Sequence, residues 1–204
     1  MEYIFSAIFL YLFFGLLLFI FQRHIVFNKS GHPGAPNDYN LYNAREVFIT
    51  TDDGINLLSW YSQGDKNLPL LVYFHGNSFH IGDRAYRIEK YISKNWNVLL
   101  ISWRGFGGNN GNPTEKNLYK DGEAVLKWIR EKTSFKLDQV VIYGESLGSG
   151  VAVELGTKYN FLSIVLEAPF TSIEDIAKMR YRIFPTKYLV KDKFDNFSKI
   201  DSLK

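Results

Sequence analysis

Two short stretches of this chain hold residues whose types and spacing suit chemistry. The first is Gly144-Glu145-Ser146-Leu147-Gly148, a serine framed by glycines. It directly follows an apolar run, Val140 to Tyr143, and directly opens a helix-forming stretch. A serine forced onto such a strand-to-helix turn projects its hydroxyl toward a substrate and suits nucleophilic attack on an acyl carbon. Glycines belong on both sides because strand and helix backbones crowd the turn. The helix start adds unpaired N–H groups and a positive dipole end, both favourable to a developing oxyanion. A nucleotide-binding turn of similar shape would bring G-x-G-x-x-G at the first strand or a Walker lysine, and neither is present.

The second stretch is Phe74-His75-Gly76-Asn77, where His75 stands 71 positions before Ser146. A His-Gly turn after an early strand is a source of a second oxyanion-hole N–H in acyl-transfer enzymes. His75 itself is read as a prop for the turn. The four histidines are at positions 24, 32, 75 and 80, all upstream of the serine. A nucleophilic serine needs a base within hydrogen-bond reach, so the order of these residues matters as much as their presence. His80, near the end of the strand expected beside Ser146, is the one weak candidate. His24 abuts the apolar N-terminus and His32 falls in a linker.

The elements that must position these residues alternate along the chain. "REVFITTDDGINLLSWYS" reads as a hairpin about Asp53-Gly54. "PLLVYFHG", "NVLLISWRG", "DQVVIYG" and "LSIVLEAP" read as strands. "RAYRIEKYISKN", "TEKNLYKDGEAVLKWIREK" and "LGSGVAVELGTKY" read as helices between them, with Thr114 as an N-cap. These strands are apolar throughout, as expected when helices cover both faces of a parallel sheet. The class is α/β.

The N-terminus has another character. Tyr3 to Phe21 is 19 residues without a charge. At about 1.5 Å per residue it reaches roughly 28 Å, close to the hydrocarbon thickness of a bilayer. Met1-Glu2 precedes it and no A-x-A pattern follows, so it reads as an uncleaved anchor and not a signal peptide. The expected organisation is a membrane anchor over 1–27, a linker over 28–44 and the α/β domain over 45–204. Arg23 and Lys29 on one flank against Glu2 on the other favour a single-pass protein with its domain in the cytoplasm. With 24 basic and 21 acidic residues, net +3, charge offers no argument for a nucleic-acid partner. The absence of cysteine excludes disulfides and thiolate metal sites. The chemistry so far needs no cofactor and no metal.

Taken together, these residues resemble the α/β-hydrolase superfamily, in the branch of membrane-anchored serine hydrolases with an N-terminal transmembrane helix. The matching residues are His75-Gly76-Asn77, Arg84, Arg104-Gly105-Phe106-Gly107, Gly111, Pro113-Thr114-Glu115, Leu118 and Asp121. They continue with Gly144 to Gly148, Ala168-Pro169-Phe170-Thr171-Ser172 and "KDKFD" from Lys191 to Asp195. The resemblance implies a mostly parallel sheet flanked by helices and hydrolysis of esters or thioesters. It makes Ser146 the nucleophile and the N–H groups of Leu147 and Asn77 the oxyanion hole, with Gly144, Gly148, His75 and Gly76 as supports. Ser102-Trp103 departs from the family's usual acidic–aromatic pair, and Phe79 and His80 alter the loop after His-Gly-Asn.

The superfamily's triad runs Ser, Asp or Glu, then His in chain order. No histidine follows Ser146, and Asp175, Asp192, Asp195 and Asp201 all lie in the segment after "LEAP". The expectation is therefore a domain lacking its last strands, by on the order of 60 residues. Acid and base would come from a complementing C-terminal polypeptide. Alternatively the chain is an inactive remnant, or a membrane-tethered module that pairs through the edge strand "SIVLE" without catalysis.

Overall fold

The protein is described by a computed structural model covering residues 1–29 and 31–204. Helix α1, Glu2–Val26, begins the chain and is long and apolar enough to cross a membrane. A two-residue strand β1, Asn28–Lys29, follows it. The antiparallel hairpin is β2, Ala44–Thr50, and β3, Asn56–Ser62, closed by a turn in which Gly54 donates to the Thr51 carbonyl. Then come β4, Leu70–Phe74; the short β5, Ser78–Phe79; α2, Ala85–Ile92; and β6, Asn97–Ile101. The chain continues through α3, Glu115–Lys132; β7, Val140–Glu145; α4, Leu147–Lys158; and β8, Ser163–Glu167. Two small helices follow, α5 over Ile173–Arg180 and α6 over Thr186–Leu189, and a 3-10 turn at Ile200–Ser202 comes last.

Six strands form one sheet in the order β2-β3-β6-β4-β7-β8, antiparallel at β2-β3-β6 and parallel from β6 onward. The central strands are buried on both faces, so their apolar runs split by parity. Leu70, Val72 and Phe74 join Val125, Ile129, Val151 and Leu155 on the side of α3 and α4. Leu71 and Tyr73 join Leu41, Trp60 and Ile88 on the side of α2. Truncating one such fully buried leucine to alanine costs about 2–5 kcal/mol.

Helix α3 is capped as its sequence implies, with the Thr114 hydroxyl accepting from the Asn117 N–H at 3.1 Å. Strand β8 is one of the two edges of the sheet, opposite β2; Val165 is 38% and neighbouring Leu162 54% exposed. Several of the described residues in the stretch 28–44, expected as a linker, pack against the sheet and its loops. Asn28 and Lys29 pair with Ser78 and Phe79, Leu41 is fully buried, and Tyr39 packs on Trp60 with ring centroids 5.4 Å apart. The apolar side chains scattered through this polar stretch find partners only once the sheet exists.

Candidate active site

The order in which strands are added reverses at β4: β6, the next long strand in the chain, lies on one side of it and β7, the one after, on the other, all three parallel. In an open α/β sheet, ligands bind in the crevice at the carboxyl ends of strands on either side of such a switch. Because Phe74 is in register with Gly144, the turn after β4 and the turn after β7 emerge side by side. The structure thus brings His75-Gly76-Asn77 against Ser146: a Cβ on Gly76 would stand 3.4 Å from the Ser146 Cβ.

Ser146 sits between β7 and α4 with φ 48° and ψ −111°, a conformation L-residues rarely adopt. Holding it there costs on the order of 1–3 kcal/mol, which the surroundings must offset. Its N–H donates to the Glu167 carbonyl at 2.9 Å, and its carbonyl accepts from the Ser149 N–H at 2.8 Å and hydroxyl at 2.6 Å. Gly148 is required because a Cβ there would collide with the Phe74 carbonyl; one on Gly144 would stand 2.8 Å from Ala152 Cβ. Among the described residues, the Ser146 hydroxyl and the N–H groups of Leu147 and Asn77 make no hydrogen bond. The hydroxyl and both donors are free to meet a substrate at the start of a 12-residue helix.

The loop bearing Asn77 is tied on three sides. Arg84 donates from Nε and a terminal nitrogen to the two Glu145 carboxylate oxygens at 3.0 and 2.8 Å, and from its other arm to the Ser78 carbonyl at 2.7 Å. The Trp103 indole N–H donates to the His75 carbonyl at 2.9 Å. The Asn77 carbonyl accepts from the Asn28 N–H at 3.1 Å, and its side chain donates to the Val26 carbonyl at 3.3 Å, at the end of α1. Burial would raise the Glu145 carboxyl, but hydrogen bonds from Arg84 and Tyr73 outweigh it and hold the group below the usual carboxylate range.

His75 is fully buried behind this turn, its ring between Trp103 and Phe106. Nδ1 lies 2.7 Å from the Gly76 carbonyl, which can only accept, so Nδ1 carries the proton. Nε2 has no partner among the described residues. Burial, with the nearby Arg84 charge, pushes the imidazole down to about 3, so it stays neutral. His80 is the residue before a short 3-10 turn, Ile81–Arg84, with Nδ1 3.1 Å from the Asp83 carboxylate. Neither histidine hydrogen-bonds Ser146.

Above the serine lies a cavity of about 210 Å³ with Ser146, Leu147 and Asn77 at its floor. One wall is the C-terminal part of α1, with Leu18, Phe19, Gln22 and Ile25; the other is the α5–α6 region, with Ile173, Ile176, Tyr181 and Phe184. Sequence reading placed the serine and its turns but missed this wall, because nothing local to α1 signals a tertiary partner. Asp192 secures it: its carboxylate accepts from Arg23 Nε at 2.8 Å and from the Glu115 N–H, at the start of α3, at 2.9 Å.

Comparison with known proteins bears on this geometry. The family described as serine aminopeptidase, S33, matches residues 65–200. Uncharacterized protein Rv2307c of Mycobacterium tuberculosis is 31% identical over 197 residues, covering 93% of this chain and 69% of that protein. Protein bem46 of Schizosaccharomyces pombe is 30% identical over 171 residues, covering 78% of this chain and 57% of its own length. Among solved structures, an esterase from Pyrococcus furiosus, Pf2001, superposes with a TM-score of 0.68 at 19% identity, over 86% of this chain and 71% of that one.

Proposed function

Because this chain belongs to the S33 serine aminopeptidase family, within the α/β hydrolases, we propose that it carries the nucleophilic half of a membrane-anchored serine hydrolase acting on acyl esters or thioesters. Ser146 Oγ attacks the acyl carbon as a base takes its proton, the N–H groups of Leu147 and Asn77 receive the oxyanion, and the alcohol or thiol leaves with the proton the base returns. Water then releases the acid from the acyl-enzyme. The observation that carries the reading is the strained Ser146 at the floor of an apolar cavity, with two unengaged N–H groups beside it. The α1 wall supports an acyl chain as the substrate part held there. In this reading α1, Glu2–Val26, is a single-pass anchor, and Arg23 and Lys29 on its C-terminal flank favour a cytoplasmic domain.

The base belongs, in this reading, to a further polypeptide segment that packs along β8. What supports it is the open edge of β8 beside the elbow strand, and four histidines none of which bonds the serine. Loss of a serine hydrolase's base lowers turnover by about 10⁴- to 10⁶-fold. Added imidazole supplies a free base, so ester hydrolysis by the purified chain in detergent should rise with imidazole and vanish in Ser146→Ala. Hydrolysis insensitive to both would refute the proposal. The same open edge supports a second reading, a tethered module that pairs with another chain without catalysis. Edge pairing with no imidazole-dependent turnover would favour it.

A further inference from the structure

The helix that this reading places in the membrane does not stand apart from the cap over the serine. The Tyr11 hydroxyl donates to the Ile183 carbonyl at 2.9 Å, and the Tyr11 ring stacks on Phe184 with centroids 5.0 Å apart. Lower down, Gln22 donates to the Leu189 carbonyl at 3.0 Å and accepts from the Lys191 N–H at 2.8 Å. Tyr11 and Gln22 are 11 residues apart. At about 1.5 Å per residue the cap follows α1 for roughly 16 Å, about half of a ~30 Å hydrocarbon layer.

Resting on the anchor reading above, we propose that the α5–α6 cap, residues 173–190, is itself embedded in the leaflet at the C-terminal side of α1. A lipid acyl chain then passes sideways from that leaflet, between α1 and the cap, to Ser146.

Three observations support this beyond contact with α1. Between its exposed charged residues the cap leaves three large, mostly apolar side chains bare: Met179 is 78%, Ile183 71% and Tyr188 80% exposed. A soluble protein gains nothing from that arrangement, whereas a leaflet buries it. The backbone at the turn is partly satisfied within the protein, with the N–H groups of Arg182 and Ile183 left without a partner among the described residues. Phe184 donates to the Tyr181 carbonyl, Thr186 to the Phe184 carbonyl, residue 185 is a proline with no N–H, and the Ile183 carbonyl is met by Tyr11. Finally, the cap carries four cations, Lys178, Arg180, Arg182 and Lys187, against two acids, Glu174 and Asp175, both in its first turn. Their stems can lie along lipid while their charges reach anionic headgroups. A second copy of this cap would present like charge to like charge, so the occupant is lipid.

The chain has no cysteine, so single-cysteine variants of the full protein can be spin-labelled cleanly. Leu10→Cys, Met179→Cys, Ile183→Cys and, far from the cap, Lys66→Cys would be placed in vesicles of equimolar phosphatidylcholine and phosphatidylglycerol. The readout is nitroxide collision with oxygen against collision with a water-soluble nickel chelate. The oxygen-to-nickel ratio at positions 179 and 183 is expected to exceed that at 66 severalfold, approaching that at 10. Labels at 179 and 183 that behave like the one at 66, or that are shielded from both reagents by a protein partner, overturn the proposal. A water-exposed label at 10 overturns it together with the anchor reading. Fluorophosphonate labelling of Ser146, which does not depend on depth, reports separately on the hydrolase.

Discussion

Arg84 holds both carboxylate oxygens of Glu145, at 3.0 and 2.8 Å, and so locks the residue before the candidate nucleophile to the loop that bears Asn77. The side chains are only 10% and 15% exposed, so neither charge has water to fall back on. Removing one partner strands the other. Arg84→Ala is expected to cost on the order of 3 kcal/mol, and the double replacement Arg84→Met with Glu145→Gln distinctly less. Thermal midpoints of the three proteins in one detergent check this.

His75 and Glu145 both make the fold acid-sensitive, in different windows. A histidine held at about 3 when folded, against about 6.5 when unfolded, takes up its proton more readily in the unfolded chain. Stability is therefore full above the unfolded value and is lost as pH falls from about 6.5 toward 3, by on the order of 4 kcal/mol. The lowered Glu145 carboxyl contributes stability that is present above its unfolded value and lost as pH falls through its folded one. His75→Gln should flatten the midpoint-against-pH curve above pH 5 or so, while leaving the loss in stronger acid. An unchanged slope between pH 6 and 5 would show that His75 is not the group responsible.

Strain at Ser146 is testable without any substrate. Ser146→Ala and Ser146→Gly both lose the hydroxyl, but only glycine adopts φ 48° at little cost. The glycine variant is expected to be about 1 kcal/mol more stable than the alanine one. Equal midpoints would mean the elbow is not strained.

The α/β alternation, the hairpin about Gly54, the Thr114 cap and the Gly-x-Ser-x-Gly elbow were legible because each is written in adjacent residues or in one short period. The partners of those elements were not. Arg84 and Glu145 are 61 positions apart, and nothing local to either names the other. Trp103, noticed only as a departure from the family's pattern, proves to hold the His75 carbonyl. Helix α1 is apolar around its whole circumference, so its pattern marks no face for the cap. Residues 28–44 read as a linker because packing of Leu41 and Tyr39 depends on Trp60, which the hairpin alone presents.

Arg23 and Asp192 join α1 to the segment after α6 asymmetrically. The Arg23 side chain is 47% exposed and Asp192 only 7%, and Asp192 also accepts from the Glu115 N–H. Arg23→Ala is expected to cost about 0–1 kcal/mol. Asp192→Ala, which leaves a helix-start donor unpaired, should cost about 1–3 kcal/mol. Equal losses would place the value of Asp192 in the ion pair alone.

The central claim is that Ser146 is the nucleophile of an acyl-transfer site. The most direct test is reaction of the full protein in detergent with a long-chain fluorophosphonate, with and without added imidazole, followed by peptide mass mapping. The account predicts one adduct, on Ser146, formed faster with imidazole and absent from Ser146→Ala. No adduct under either condition, or one on another residue that survives Ser146→Ala, would contradict it.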